Sequence, residues 1–222
     1  IRQCRPLRYD SGEIFRVDAK AEGDCVVIGG WESFGGFPPS EACWFSIVLD
    51  KGSAPGGYAK GEPLRTITAL ELLGALFAFM LFKDGAAWWH GSAYLSLTCY
   101  TDNQGNTFLL DRCMTSKFPL IVILIEMAEQ LAAENVGLAL KWVTRLQNEE
   151  ADSLTNSDFS SFDPERRIAM EVENMPFGIL PKLLEVEVAL TSGSADAKVK
   201  KRVAQEAAPL VLKASHVSTD SL

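Results

Sequence analysis

The sequence predicts an α/β fold: a mixed five-stranded sheet, three antiparallel strands followed by parallel ones, with helices on both faces. Three observations predict it. The first fifty residues hold apolar, β-branched runs separated by short Gly- and Pro-bearing turns. From residue 66 onward, apolar residues at helical spacing alternate with strand-like segments. No internal repeat divides the chain. Strands joined by tight turns form an antiparallel meander, whereas strand–helix alternation brings later strands in parallel.

In order, 13–17 (EIFRV) alternates and ends at Asp18. After the turn-like Glu22-Gly23-Asp24, 25–31 (CVVIGGW) forms the second strand. A Gly- and Pro-rich turn at 35–40 leads to a third strand at 42–49 (ACWFSIVL), and 50–63 is a glycine-bearing loop. Over 66–82, Leu70, Leu73, Leu76, Phe77 and Met80 keep helical spacing, with Thr66 or Thr68 as N-cap. Residues 94–101 (YLSLTCYT) alternate again and end at Asp102. A short helix over 103–113 and a stronger one over 119–135 come next, the latter with Pro119 near its start and Gly137 beyond its end. Residues 138–143 (LALKWV) make the fifth strand, and a last helix runs from Asn148 to about 157. Beyond that, 163–175 reads as helical, Pro176 and Pro181 as interruptions, and 191–196 as a small-residue linker. The run 198–202 and the tail after it read as weakly ordered. The expected organisation is a lead-in at 1–12, a domain over 13–158, a partly helical extension over 159–190, and a tail over 191–222.

Bulk properties narrow the function. The chain has 222 residues, room for one domain plus an extension, and 47% hydrophobic residues fill a core. It begins at Ile1 without an initiator Met and is read as part of something longer. The apolar run 118–133 carries Glu126, Glu129 and Gln130, so it is expected as a buried helix and not a membrane span. No signal peptide is apparent, and Cys4, Cys25, Cys43, Cys99 and Cys113 show no CxxC pair. Reduced core thiols in an intracellular protein, cytoplasmic or nuclear, are the expectation. Lys and Arg number 21 against 29 Asp and Glu, a net charge of −8. That opposes tight independent binding to nucleic acid, which needs a basic footprint. A partner domain on the same polyprotein would supply the missing cationic surface.

The candidate chemistry lies in four acids. In-line cleavage of a phosphodiester uses two divalent cations about 4 Å apart, and Mg²⁺ prefers carboxylate oxygens. Asp18 and Asp102 end the first and fourth strands, which as parallel neighbours would present both side chains at one carboxyl edge. Glu71 sits in an apolar helical segment, where an acid is costly unless it faces a cation or water. Asp152 lies in the first turn of the last helix. Taken singly, each has an ordinary explanation: a turn residue, an Asx turn, a solvated helix position, a helix N-terminal charge. The set, each at the appropriate element, carries the argument.

In that order the chain resembles ribonuclease H. The segment WVTRLQNEEADSLT, 142–155, resembles the close of the ribonuclease H domain in retroelement reverse transcriptases, where Asn148, Ala151, Asp152 and Leu154 match. YTDNQGN, 100–106, is similar to the family's strand-four signature, and TALELLGAL, 68–76, to its acid-bearing helix. The resemblance covers roughly 13–158. It implies a ribonuclease H-like fold and cleavage of the RNA strand of an RNA–DNA hybrid with two Mg²⁺ or Mn²⁺ ions. Asp18 and Asp102 would be core metal ligands, Glu71 would hold the leaving-group metal, and Asp152 the water-activating one. Asn103 and Gln104 would donate hydrogen bonds to minor-groove 2′-hydroxyls, and Asn148 would join them as a substrate contact. A reverse transcriptase domain on the same polyprotein is the implied partner.

The chain departs from the family in three places. Ala19-Lys20 stands where a small hydroxyl residue or Gly is common, and Lys20 would crowd the site. No His lies between Leu140 and Asp152; the chain's two, His90 and His216, are remote. A basic hybrid-binding insertion is missing. These departures favour an alternative, a catalytically degenerate module serving as a structural or nucleic-acid-binding spacer. Retention of four like charges opposes it. Proofreading exonucleases, which need an acid where Lys20 stands, and integrases, whose Glu is on a late helix, fit less well. Trp31, Trp44, Trp88, Trp89 and Trp142 are read mainly as core or edge packing, with base stacking as the other role.

Overall fold

The computed structural model of the protein describes residues 9–53, 55–58, 61–83, 95–112 and 114–191. Trp88, Trp89, His90, Cys4, Cys113, His216, residues 1–8 of the lead-in and the tail from 192 lie outside the described residues.

Five strands form one sheet in the order β3-β2-β1-β4-β5. They are β1 (Tyr9–Glu22), β2 (Cys25–Glu32), β3 (Trp44–Leu49), β4 (Leu95–Thr101) and β5 (Val136–Trp142). The β1–β2 and β2–β3 pairs are antiparallel, while β1–β4 and β4–β5 are parallel. This is the mixed sheet that the sequence predicts. The first strand is longer than expected, because it serves two partners in succession. Its N-terminal part pairs with β4, from Tyr9↔Leu95 to Arg16↔Tyr100, and its C-terminal part continues along β2 to Glu22↔Cys25. Asp18 is therefore not a strand-end residue. It sits two residues past the last β4 pairing, where the end of β4 opens a notch in the sheet.

Helices cover both faces. On one, α1 (Ile67–Phe82) packs across β1 and β2, beside α3 (Leu120–Ala133). On the other, α4 (Glu149–Thr155) packs across β1, β2 and β3. The short α2 (Gln104–Arg112) leans on β4 and β5. Pro63–Phe82 is long and apolar enough to cross a membrane by length and composition, yet 72% of that stretch is buried inside the protein. A helix apolar on all sides belongs in a core, and α1 is the central one. Thr66 occupies its N-cap position without capping; its hydroxyl donates instead to the carbonyls of Gly57 and Pro63.

Two glycines set how closely the helices approach. A Cβ on Gly29 of β2 would stand 2.6 Å from Leu154 Cβ of α4. One on Gly74 of α1 would stand 2.9 Å from Ile28 Cγ2 and 3.7 Å from Val17 Cβ. Both contacts lie beside Asp18, which pairs with Gly29.

The extension differs from its expectation. Residues 163–175 hold only single turns, at Pro164–Arg166 and Val172–Asn174, and α5 (Leu180–Thr191) runs on past Pro181, which fits a first-turn position. Glu126 of α3, fully buried, accepts the N–H groups of Gly178, Ile179 and Leu180 at 2.8 Å each. Across the sheet, the Trp44 indole donates to the Asp163 carbonyl, and Ile168 N–H donates to the Trp44 carbonyl. Trp31, Trp44 and Phe162 form a second apolar cluster with Ala151 and Leu154 of α4. Of the described cysteines, all free, Cys99 is buried, Cys43 half-buried and Cys25 exposed, so only Cys99 matches the expectation of a core thiol.

Gly29→Ala has no room without moving α4, and overpacking of this kind costs about 1–3 kcal/mol. Urea denaturation should register that loss, whereas Gly36→Ala, with nothing within 4 Å of its Cβ, serves as a control for the cost of a positive φ.

Candidate metal centre

The four acids sit on four elements that meet near the end of β4. Asp18 projects from β1 on the α4 side, since its neighbour in register, Gly29, meets Leu154. Asp102 directly follows β4, and Glu71 and Asp152 come from α1 and α4. Their charges act on one another: those of Asp102 and Asp152 on Asp18, and those of Asp102 and Asp18 on Glu71.

Burial sets the electrostatics. Asp18 and Glu71 are each only 8% exposed. Burial first, then the charges of Asp102 and Asp152, pushes the Asp18 carboxyl up to about 6, against the hydrogen bond it accepts from the Thr155 hydroxyl at 2.9 Å. Burial, followed by the charges of Asp102 and Asp18, pushes Glu71 up to about 8, opposed by hydrogen bonds from Asn103 and Thr101. Glu71 Oε2 is buried without a partner. Asp102, half-buried, is raised by burial, and the charge of Arg145 pulls it the other way. Asp152 is tied on both oxygens: Arg145 Nη2 donates to Oδ1 at 2.5 Å and Asn156 Nδ2 to Oδ2 at 2.9 Å.

Among the described residues, no group of three or more His, Cys, Asp or Glu side chains is already gathered in a metal-holding arrangement. The donor set nevertheless suits a hard divalent cation: oxygen ligands only, one of them an orphaned buried carboxylate oxygen, and two acids whose ionisation needs a positive charge nearby.

The other expected residues separate. Gln104 is exposed at the start of α2. Asn103 is half-buried: its amide N–H donates to Thr101 Oγ1, its Oδ1 accepts from Asn106 N–H, and its Nδ2 lies 3.4 Å from Thr68 Oγ1. Asn148 is corrected. It is 1% exposed and donates to the Val17 carbonyl, tying the start of α4 to β1 next to Asp18, so it has no surface to offer a substrate. Lys20 does not crowd the acids; it bonds Asn156 Oδ1 and pairs with Glu22. Trp31 and Trp44 are core residues, but Trp142 is 51% exposed, its indole donating to the Asp102 carbonyl. Sequence reasoning missed Thr155, Arg145, Asn156 and Arg16. Thr155 closes the motif that contains Asp152, and its hydroxyl is the one signal that could have been read. Arg16 reaches the Gln147 carbonyl across the sheet, which no local pattern announces.

Comparison with protein-family models finds no match, and neither does comparison with curated proteins. Among solved structures, the chain is similar to RNase H1 from the halophilic archaeon Halobacterium salinarum NRC-1, with 16% identity and a TM-score of 0.45, covering 69% of this chain and 98% of that one. LC11-RNase H1 in complex with an RNA/DNA hybrid is similar at 15% identity and a TM-score of 0.44, covering 66% and 96%. The N-terminal RNase H domain of Rv2228c from Mycobacterium tuberculosis, a fusion with maltose binding protein, is similar at 17% and 0.39, covering 67% and 95%.

The raised carboxyls make stability depend on pH. Free carboxyls titrate near about 4, so Asp18 and Glu71 hold protons more tightly folded than unfolded. Their contribution is full at pH values below about 4 and is lost as pH climbs through 6 and then 8. In chelator, the melting temperature should fall between pH 5 and 9, and Glu71→Gln should remove the upper part of that fall. An equal slope in both proteins would refute the assignment.

Proposed function

We propose that this protein is a metal-dependent endonuclease that cleaves the RNA strand of RNA–DNA hybrids. The observation that supports the reading is the electrostatic contact among acids carried by four elements: the charges of Asp102 and Asp152 act on Asp18, those of Asp102 and Asp18 act on Glu71, and Glu71 Oε2 is buried with no partner among the described residues. A dead scaffold gains nothing from confining like charges. Asp18, Glu71, Asp102 and Asp152 would hold two Mg²⁺ or Mn²⁺ ions, which when bound supply an activated water and relief of charge on the leaving oxygen. Thr155 orients Asp18 through its hydroxyl, and Asn103 and Thr101 steady Glu71. Gln104 and Asn103, at the rim, are the candidates for contact with 2′-hydroxyls of the RNA strand. Trp142, exposed and fixed to the Asp102 carbonyl, offers a ring face for stacking on a base or sugar. With a net charge of −8, affinity for the hybrid would draw on a basic partner, a reverse transcriptase domain on the same polyprotein.

A second reading, a degenerate module that binds without turnover, is favoured by one observation. Both Asp152 oxygens are already engaged, by Arg145 and Asn156.

Cleavage of a labelled hybrid decides between them. Asp102→Asn should lower Mg²⁺- or Mn²⁺-dependent cleavage by at least about a hundredfold with an unchanged far-UV spectrum. Wild-type protein that binds hybrid but cleaves with neither metal would establish the second reading.

Trp142→Ala should weaken hybrid binding by about 1–3 kcal/mol, the worth of one stacked base, and Trp142→Phe should keep most of it. Fluorescence anisotropy with Ca²⁺ in place of Mg²⁺ measures this without cleavage. Equal affinity of wild type and Trp142→Ala would remove the residue from the interface.

A further inference from the structure

We infer that Arg145 is a tethered counter-ion of the acidic notch, which a divalent cation must displace from Asp152, so that this arginine sets how tightly the notch takes metal. The inference rests on the metal-centre reading above and adds the device that tunes it.

The base of the tether is built to stay in place. Arg145 opens a single helical turn, Arg145–Gln147, closed by a reciprocal cap: the Gln147 side-chain oxygen accepts from both the Thr144 N–H and the Thr144 hydroxyl, at 3.2 and 3.1 Å. Arg16, two residues before Asp18 on β1, donates to the Gln147 carbonyl and so pins the turn to the strand that carries the first acid. The Arg16 guanidinium is itself held by Glu13 and lies over the rings of Trp31 and Tyr100. The backbone beneath Arg145 is thus anchored.

The end of the tether is free to move. The Arg145 side chain is 76% exposed, and the contact that directs it is the 2.5 Å bond to Asp152 Oδ1. Its charge acts also on Asp18 and Asp102. A guanidinium does not deprotonate in water, so raising the pH does not release it; a competing cation does. Asp152 Oδ1 can accept from Arg145 or bind a metal ion. Asn156, which holds Oδ2 and the Asp152 carbonyl, keeps the carboxylate aimed during the exchange. The arginine has solvent to swing into, and nothing buried is broken when it leaves.

Manganese binding by calorimetry on the full chain tests this, and requires no turnover. Arg145→Gln should bind Mn²⁺ roughly five- to twentyfold more tightly than wild type, since one repelling charge and one competing hydrogen bond are gone. Arg145→Lys should fall between the two, keeping the charge and losing the planar donor pair. In an Asp152→Asn background, the gain from Arg145→Gln should largely vanish. Thermal melts without metal verify that each variant is folded, which the exposure of Arg145 favours. Equal or weaker binding by Arg145→Gln, or a gain that persists undiminished with Asp152→Asn, overturns the tether and leaves the metal centre standing. Failure of every folded protein, wild type included, to bind Mn²⁺ overturns the metal centre and the tether with it.

Discussion

The energetics of this protein turn on like charges confined to one partly dry notch. Asp18 and Glu71 are buried and Asp102 half so; the charge of Asp102 raises the cost of ionising Asp18, and those of Asp102 and Asp18 raise the cost of ionising Glu71. Neutral donors meet part of that cost: Thr155 serves Asp18, and Asn103 and Thr101 serve Glu71. Hydrogen bonds of this kind steady one carboxylate at a time. Repulsion among several is relieved by a bound proton or by positive charge, and the Arg145 cation touches Asp152 and not the more buried Asp18 or Glu71. The remaining deficit is greatest at Glu71, whose buried Oε2 has no hydrogen-bond partner among the described residues.

The scaffold prevents the acids from relieving this by moving apart. Gly74 lets α1 approach β1 and β2 until a single added carbon would collide, and Gly29 does the same for α4 on the opposite face. Asn148 fastens the start of α4 to β1 one residue before Asp18, and Ser46 Oγ holds its end through the Leu154 carbonyl. The helices bearing Glu71 and Asp152 are therefore clamped on β1, which carries Asp18, and on its neighbour β2. A rigid frame of this type keeps its charge unsatisfied until a ligand arrives, which is how preorganised sites obtain affinity.

Much of this was legible in the sequence, for identifiable reasons. Strand and helix order came from the switch in hydrophobic period at residue 66, and the acids were found because each stood at an element boundary or in an apolar run. The hidden part depends on pairing between distant segments. Asp18 looked like a strand end because 13–17 alternates cleanly; the strand in fact continues, since β2 offers it a partner after β4 has stopped. Asn148 looked like a substrate ligand because it opens a motif, but it is 1% exposed and its Nδ2 donates to the Val17 carbonyl, 131 positions away. The extension was misjudged because Pro181 reads as a breaker, whereas a helix first turn accepts proline and Glu126 supplies the acceptor that its leading N–H groups need.

That carboxylate has a bearing on where the polypeptide can be cut. A fragment stopping at 158, the boundary the motifs suggest, would strip Glu126 of the backbone N–H donors of Gly178, Ile179 and Leu180 and leave it the Gln130 amide. It would also bare the flank of β3, where Asp163 accepts from the Trp44 indole and Ile168 donates to the Trp44 carbonyl, and an uncovered outer strand invites pairing with other molecules. A piece that keeps these contacts therefore extends to the start of α5.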